Sequence, residues 1–165
     1  MKLIAAVNNN WGIGKENDLL YHIPTDMKFF RNKTKENVII IGRKTLESFP
    51  NSKPLPNRVN IVLTRDENYN ANDVILCNNQ ESVLEEIKKY PDKEIYICGG
   101  EQIYKLFLPY CLEALITKVY DNAPSQKFMT NLDDDDNWVV KEKSEIMEEN
   151  GLSFQFFVYE NKNHI

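Results

Sequence analysis

The run Val38-Ile39-Ile40-Ile41-Gly42-Arg43-Lys44-Thr45 decides the architecture of this chain. Four consecutive β-branched apolar residues leave no polar face, the pattern of a strand covered on both sides. The glycine, two cations and hydroxyl that follow mark a strand end running into a helix start. Ile95-Tyr96-Ile97-Cys98 reads the same way and enters its own helix through Gly99-Gly100-Glu101-Gln102. Working outward, strands are expected at 2–8, 38–41, 59–64, 74–77, 94–98 and 113–120, and helices at 24–34, 43–49, 80–90 and 101–108. Val83, Leu84, Ile87 and Tyr90 share one face of the third helix. Ile103, Tyr104, Phe107 and Leu108 share one face of the fourth, which Pro109 stops. Beyond residue 137 the runs 138–146 and 152–159 flank Glu148-Glu149-Asn150-Gly151, whose Asn-Gly is a hairpin signal. The expected class is therefore α/β: a single domain over residues 1–165, with a central mixed eight-stranded sheet flanked by four helices. That sheet is mostly parallel and closes on a C-terminal antiparallel hairpin.

Composition narrows the function classes. In 165 residues, 42% are hydrophobic and 27% charged, near the globular average, so disorder, collagen and coiled coil are excluded. No apolar run approaches the ~20 residues of a membrane span. The apolar stretch that Asn8-Asn9-Asn10 ends is too short for a signal segment and reads as a first strand, so a soluble cytoplasmic protein is expected. Cys77, Cys98 and Cys111 are odd in number, and only His22 and His164 could join them, so no metal site is expected. The net charge of −5 speaks against nucleic acid as a partner. The charge is uneven, however: residues 1–70 carry 11 Lys/Arg against 7 Asp/Glu, the remainder 9 against 18. A local site for a small anion is one reading and chance the other. The run Asp133-Asp134-Asp135-Asp136 reads as a hydrated loop.

Ligands of such sheets sit at the carboxyl ends of strands, so those junctions carry the chemistry. At Gly42-Arg43-Lys44-Thr45, free N–H groups beside two cations suit an anion, though a plain helix start with solvated cations reads equally well. At Gly99-Gly100, a tight turn and a close backbone approach to a ligand are both open. Thr64-Arg65 ends a third strand in a hydroxyl and a cation. Trp11-Gly12-Ile13-Gly14 suggests a mobile loop after the first strand. Next come Ile23-Pro24-Thr25-Asp26: Pro24 fits the first helical position and Asp26 the first turn, where a carboxylate favours the dipole. Asp26 either serves the helix alone or, with Met27 and Phe30 on the same face, grips a flat hydrogen-bonding heterocycle.

In this order the pieces resemble the dihydrofolate reductase family over nearly the whole chain. The matching stretches are Leu3-Ile4-Ala5-Ala6, Gly12-Ile13-Gly14-Lys15-Glu16-Asn17, Ile23-Pro24-Thr25-Asp26, Ile41-Gly42-Arg43-Lys44-Thr45-Leu46-Glu47-Ser48, Pro54-Leu55-Pro56-Asn57-Arg58 and Ile97-Cys98-Gly99-Gly100-Glu101-Gln102-Ile103-Tyr104, with Thr117 and Trp138. The resemblance implies NADPH as cofactor and hydride transfer to C6 of 7,8-dihydrofolate with protonation at N5. The tetrahydrofolate formed would serve one-carbon metabolism and thymidylate and purine synthesis. Folate is a further substrate candidate, and antifolates such as diaminopyrimidines and methotrexate are implied inhibitors.

By the same resemblance Asp26 holds the pterin 2-amino group and N3, with Thr117 in support and Tyr21 beside them as the catalytic set. A water is the expected immediate donor to N5. Ile4, Ala6, Leu19, Met27, Phe30, Phe49, Leu55 and Cys98 would line the substrate site. Arg58 would take the α-carboxylate of the glutamate tail, with Lys53 as a second tail cation. On the cofactor side, Ala6, Ile13 and Gly14 with Asn17, Asp18 and Leu19 would cover the nicotinamide. Gly42, Lys44 and Thr45 would meet the pyrophosphate, and Arg43, Leu63, Thr64 and Arg65 the adenosine and its 2′-phosphate. Cys98, Gly99, Gly100, Glu101, Gln102, Ile103 and Tyr104 would complete the site, Gly99-Gly100 as a cis peptide. Residues 38–107 would form an adenosine lobe, and the enzyme is expected to be a monomer.

Several positions depart from the family pattern. Tyr21 stands for the usual Trp, Leu20 for a frequent Pro, and Cys98 for a bulkier apolar residue. Ser125-Gln126 replaces a Gly-Asp pair, so different loop contacts and an altered affinity for diaminopyrimidines are expected. His22 is expected to be exposed rather than catalytic, and Trp11 and Trp138 to be packing residues. Two rivals remain at this point. A flavin-pathway pyrimidine reductase of the same fold typically lacks the Asp26 and Arg58 motifs, and a non-catalytic NADP-binding module could keep the cations while losing Asp26.

Overall fold

The computed structural model describes residues 1–165. Its central sheet is built from β1 (Lys2–Val7), β4 (Val38–Gly42), β5 (Val59–Leu63), β6 (Ile75–Cys77), β7 (Ile95–Ile97), β8 (Glu113–Val119), β10 (Trp138–Lys143) and β12 (Leu152–Asn161). They lie in the order β10-β12-β8-β1-β7-β4-β5-β6. Every pairing from β8 to β6 is parallel, and β12 joins β8 antiparallel, as the strand–helix alternation followed by a hairpin implies. The helices are α1 (Pro24–Thr34), α2 (Arg43–Ser48), α3 (Gln80–Ile87) and α4 (Glu101–Phe107). Alternation along β4 explains its unbroken hydrophobicity. Ile40 enters a core of 19 buried residues with Leu3, Ile97 and Phe107, while Ile39 and Ile41 join a second core of 7 with Ile4, Val62 and Leu115 on the opposite face.

Three features depart from the sequence expectation. The expected strand 138–146 stops at Lys143 and resumes as β11 (Met147–Glu149) on the same edge of β12. A bulge between Val140 and Glu142 breaks the register. Ser144 then ties the gap, its N–H donating to Phe156 O and its Oγ accepting from Phe156 N–H. The turn itself is as expected: Asn150 (φ 54°) and Gly151 (φ 77°) have the paired positive φ of a two-residue hairpin.

The expected loop after β1 is instead a hairpin, β2 (Gly12–Lys15) and β3 (Asp18–Leu19), with β9 (Lys127–Phe128) paired to its other side. Its turn residues Glu16 and Asn17 have φ of 53° and 58°. The acidic run is also less uniform than expected. Asp133 accepts from Lys118 Nζ and from the Tyr159 hydroxyl, each at 2.6 Å. Lys118 in turn sits among the rings of Trp11, Phe157 and Tyr159. No helix is long and apolar enough to cross a membrane.

Candidate active site

Helix α1 is carried to the sheet by Ile23, which packs with Val119 and Phe154. Pro24 opens it, and Asp26 follows in the first turn. Thr117 on β8, 2% exposed and register partner of Ala6, donates its hydroxyl to Asp26 Oδ1 at 2.6 Å. Asp26 Oδ2 has no protein donor. Burial pushes the Asp26 carboxyl above its usual range, and the Thr117 hydrogen bond only partly offsets this. The result is a carboxyl held above its usual pKa with one oxygen free for a ligand.

The second core continues into this cleft. Phe30, Phe49, Leu55 and Cys98 pack against it as partly buried side chains, with Ile4 inside it. Met27 and Leu19 are exposed at 51% and 58%. Burial also pushes the Cys98 thiol upward, which keeps it a neutral wall. Arg58 lies 5.9 Å from the Phe30 ring centroid, its Nε donating to Thr34 Oγ1 at 2.9 Å and Nη1 to Pro56 O at 3.1 Å. Thr34 passes its own hydroxyl hydrogen to Phe30 O at 2.8 Å, so α1 orients the guanidinium. Lys53 is exposed after the 3₁₀ turn that follows α2.

The other side of the cleft is where β4 and β7 end together. Gly42 N–H donates to Gly99 O at 2.9 Å, and the Gly99–Gly100 peptide is cis. Gly99 has φ +112°, and a Cβ on it would meet the Tyr104 ring at 3.2 Å. The Tyr104 hydroxyl donates to Ile4 O, which joins the two halves of the cleft. Ile103 crowds Gly42, and Glu101 accepts from Phe128 N–H, tying α4 to β9. Lys44 and Arg65 are exposed cations without an ion-pair partner, and the Thr45 hydroxyl makes no protein hydrogen bond. Arg43 pairs with Glu47 at 2.9 Å, and Thr64 is buried beside Leu63. Two unpaired cations, a free hydroxyl and a glycine edge form a donor set that suits a phosphorylated dinucleotide.

Other expected residues are held by contacts of their own. The Tyr21 hydroxyl donates to Asp121 Oδ2 at 2.6 Å, and burial first, then that hydrogen bond, push its pKa up to about 12. Gly14, Asn17 and Asp18 belong to the β2–β3 hairpin, with Ile13 packed on the main core. His22 is exposed, 3.4 Å from Asp18. Gln126 takes up the loop contact: its Oε1 accepts from Glu16 N–H at 2.7 Å and its N–H donates to Gly14 O at 2.8 Å. Sequence reading missed Asp121 and Glu149, because both act across more than 90 positions of chain with no motif to mark them.

A mostly parallel α/β sheet that sets a buried carboxyl beside a cation-edged glycine turn is an arrangement that fits an oxidoreductase using a dinucleotide. The family model described as Dihydrofolate reductase matches residues 1–161. The dihydrofolate reductase of Staphylococcus haemolyticus is 36% identical over 97% of this chain and 95% of its own length. That of Bacillus subtilis is 34% identical over 99% and 95%. The solved dihydrofolate reductase of Enterococcus faecalis, complexed with NADP(H) and RAB-propyl, superposes with a TM-score of 0.87 at 28% identity, covering 97% of this chain and 95% of that one. The chain belongs to the dihydrofolate reductase family.

Proposed function

We propose that Asp26 and Thr117 are the substrate-gripping pair of this enzyme and that Arg58 holds the tail of its substrate. The reaction is the family's: NADPH-dependent reduction of 7,8-dihydrofolate to 5,6,7,8-tetrahydrofolate. Bound NADPH supplies the hydride that C6 receives, and the protein supplies orientation and electrostatics. Asp26 Oδ2 accepts an N–H of the pterin edge, and a charge-assisted bond of this kind fixes the ring in plane. Held above its usual pKa, the carboxyl polarises the ring and raises the basicity of N5, to which water delivers the proton. Ile4, Ala6, Phe30, Phe49 and Leu55 exclude bulk water from the ring, with Met27 and Leu19 at the rim.

The Arg58 fork, oriented by Thr34 and Pro56, leaves its remaining N–H groups for the glutamate α-carboxylate, with Lys53 nearby in sequence. Lys44, Thr45, Thr64 and Arg65 in the 38–107 segment hold the phosphates of the dinucleotide, and Gly99-Gly100 gives its backbone close approach. The apolar cleft with one acid supports binding of diaminopyrimidine antifolates, whose amino groups offer the donors Asp26 accepts.

One observation carries the reading: a carboxylate buried enough to raise its pKa, with a single protein donor and one free oxygen. The purified chain mixed with NADPH and dihydrofolate is expected to consume nicotinamide absorbance, and Asp26→Asn is expected to slow this by about 100-fold or more. Equal turnover in the variant would overturn the role of Asp26.

A further inference from the structure

Helix α1 starts without a cap of its own. Its N-cap residue is Ile23, whose side chain makes no capping bond, and Pro24 has no N–H to give. The first free donor is met instead from 124 positions away. Glu149 Oε1 accepts the Thr25 N–H at 2.9 Å, and Glu149 Oε2 accepts the Thr25 hydroxyl at 2.8 Å. Those two donations hold the Glu149 carboxyl below its usual range. Glu149 ends β11 next to the Asn150–Gly151 turn, and Asp26 is the residue after Thr25.

The same hairpin grips α1 at a second point. Phe29, three residues past Asp26, stacks on Phe156 of β12 with ring centroids 4.3 Å apart and planes 17° from parallel. Phe156 is the register partner of Thr117. The hairpin therefore holds the helix on both sides of Asp26, and its longer strand lies beside the strand that carries the donor to Asp26.

We infer that Glu149 is a positioning residue for the reduction: by clamping Thr25 it sets where the Asp26 carboxylate stands relative to Thr117 and the pterin. The inference rests on the role assigned to Asp26. The Glu149 carboxylate spends both oxygens on Thr25. Its work is done through one backbone N–H and one hydroxyl at the start of the helix. Loss of the clamp frees the first turn, and misplacing a reacting group by an ångström is enough to slow catalysis strongly.

The test compares Glu149→Ala, Glu149→Gln and Thr25→Ala with the unmodified enzyme and with Asp26→Asn, measuring kcat, the KM for dihydrofolate and the Kd for NADPH by fluorescence titration. Glu149→Ala is expected to lower kcat by about 10-fold or more with the NADPH Kd unchanged. Thr25→Ala, which keeps the N–H contact, is expected to fall between it and the unmodified enzyme. Glu149→Gln is expected to restore most of the rate, because its amide oxygen still accepts the Thr25 N–H and its NH₂ donates to Thr25 Oγ1. An unchanged kcat in Glu149→Ala overturns the clamp, and so does an equal loss of kcat and NADPH affinity, which indicates general loosening. A Glu149→Gln variant as slow as Glu149→Ala also overturns it, since charge rather than placement is then at work. If Asp26→Asn is slow while Glu149→Ala is normal, only the clamp fails; if Asp26→Asn keeps full turnover, the role of Asp26 fails and the clamp with it.

Discussion

Thr117 and Asp26, 91 positions apart, meet through a 2.6 Å hydrogen bond in which the threonine hydroxyl donates to the carboxylate. Thr117 is locked between β1 and β12, so the donor has little freedom, while Asp26 rides on a helix that packs from the side. The two opposing influences on the acid thus come from different elements. Burial raises the pKa, the hydroxyl lowers it, and burial wins. A functional acid of this sort is held in place by the rest of the fold at some cost in stability.

That cost has a pH signature. The folded-state pKa of Asp26 is raised above its unfolded value, so the folded chain binds the proton more tightly. The resulting stability is fully present below the usual aspartate pKa and is lost as pH rises through the raised folded value. Once ionised, the buried carboxylate is a net burden. Asp26→Asn is therefore expected to melt at a higher temperature than the unmodified enzyme at pH 7, with the gain shrinking as the pH is lowered through the carboxylate range. Thermal unfolding followed at several pH values checks this, and a lower melting temperature for the variant at pH 7 contradicts it.

Removing the donor has the opposite effect. Thr117→Val keeps the shape but leaves Asp26 without its only protein partner, and a hydrogen bond to a charged group contributes about 1.5–3 kcal/mol. A loss of that order is expected at neutral pH and a smaller one in acid, where Asp26 is protonated. Denaturant midpoints at the two pH values measure the difference. Equal losses at both would mean that the hydroxyl does not act on the charge.

Much of this was legible because it is local. Val38 to Ile41 reads as a strand covered on both faces, Pro24 fits the opening of a helix, and Asn150-Gly151 turns a hairpin by its own φ preferences. The β2–β3 hairpin was not legible: its turn uses Glu16 and Asn17 at positive φ, and a glutamate gives no sign of accepting that conformation. It is stabilised from outside, by the Gln126 side chain on Glu16 N–H. Asp133 likewise looked like one of four hydrated acids, and only the fold brings Lys118 and Tyr159 to it. In the site, Asp26 and Arg58 could be read from their motifs, whereas the Tyr21–Asp121 and Thr25–Glu149 contacts join segments with no shared pattern.

Arg58 offers a test of orientation rather than charge. Its Nε and Nη1 are both committed to the protein, so the guanidinium plane is set before substrate arrives. Arg58→Lys keeps the positive charge but loses the fork and the Thr34 anchor. The KM for dihydrofolate is expected to rise by about 10-fold or more, the loss of one to two charged hydrogen bonds, with the Kd for NADPH unchanged. Steady-state kinetics decide it, and an unchanged KM would remove Arg58 from the tail site.

Gly12 and Ser125 are matched against each other. A Cβ on Gly12 would lie 1.8 Å from Ser125 Oγ and 2.5 Å from Ser125 Cβ, so one position must lack a side chain for the other to have one. Ser125 Oγ is itself buried without a hydrogen-bond partner, a burden of about 1–3 kcal/mol. Ser125→Ala is accordingly expected to raise the melting temperature. Gly12→Ala is expected to lower it and to loosen the contact of β2 with β9. Because the clash involves Cβ as well as Oγ, Ser125→Ala will not rescue Gly12→Ala, whereas Ser125→Gly will. A double-mutant cycle on melting temperatures separates the two cases, and rescue by alanine as complete as rescue by glycine would show that the strand packing relaxes around the added methyl group.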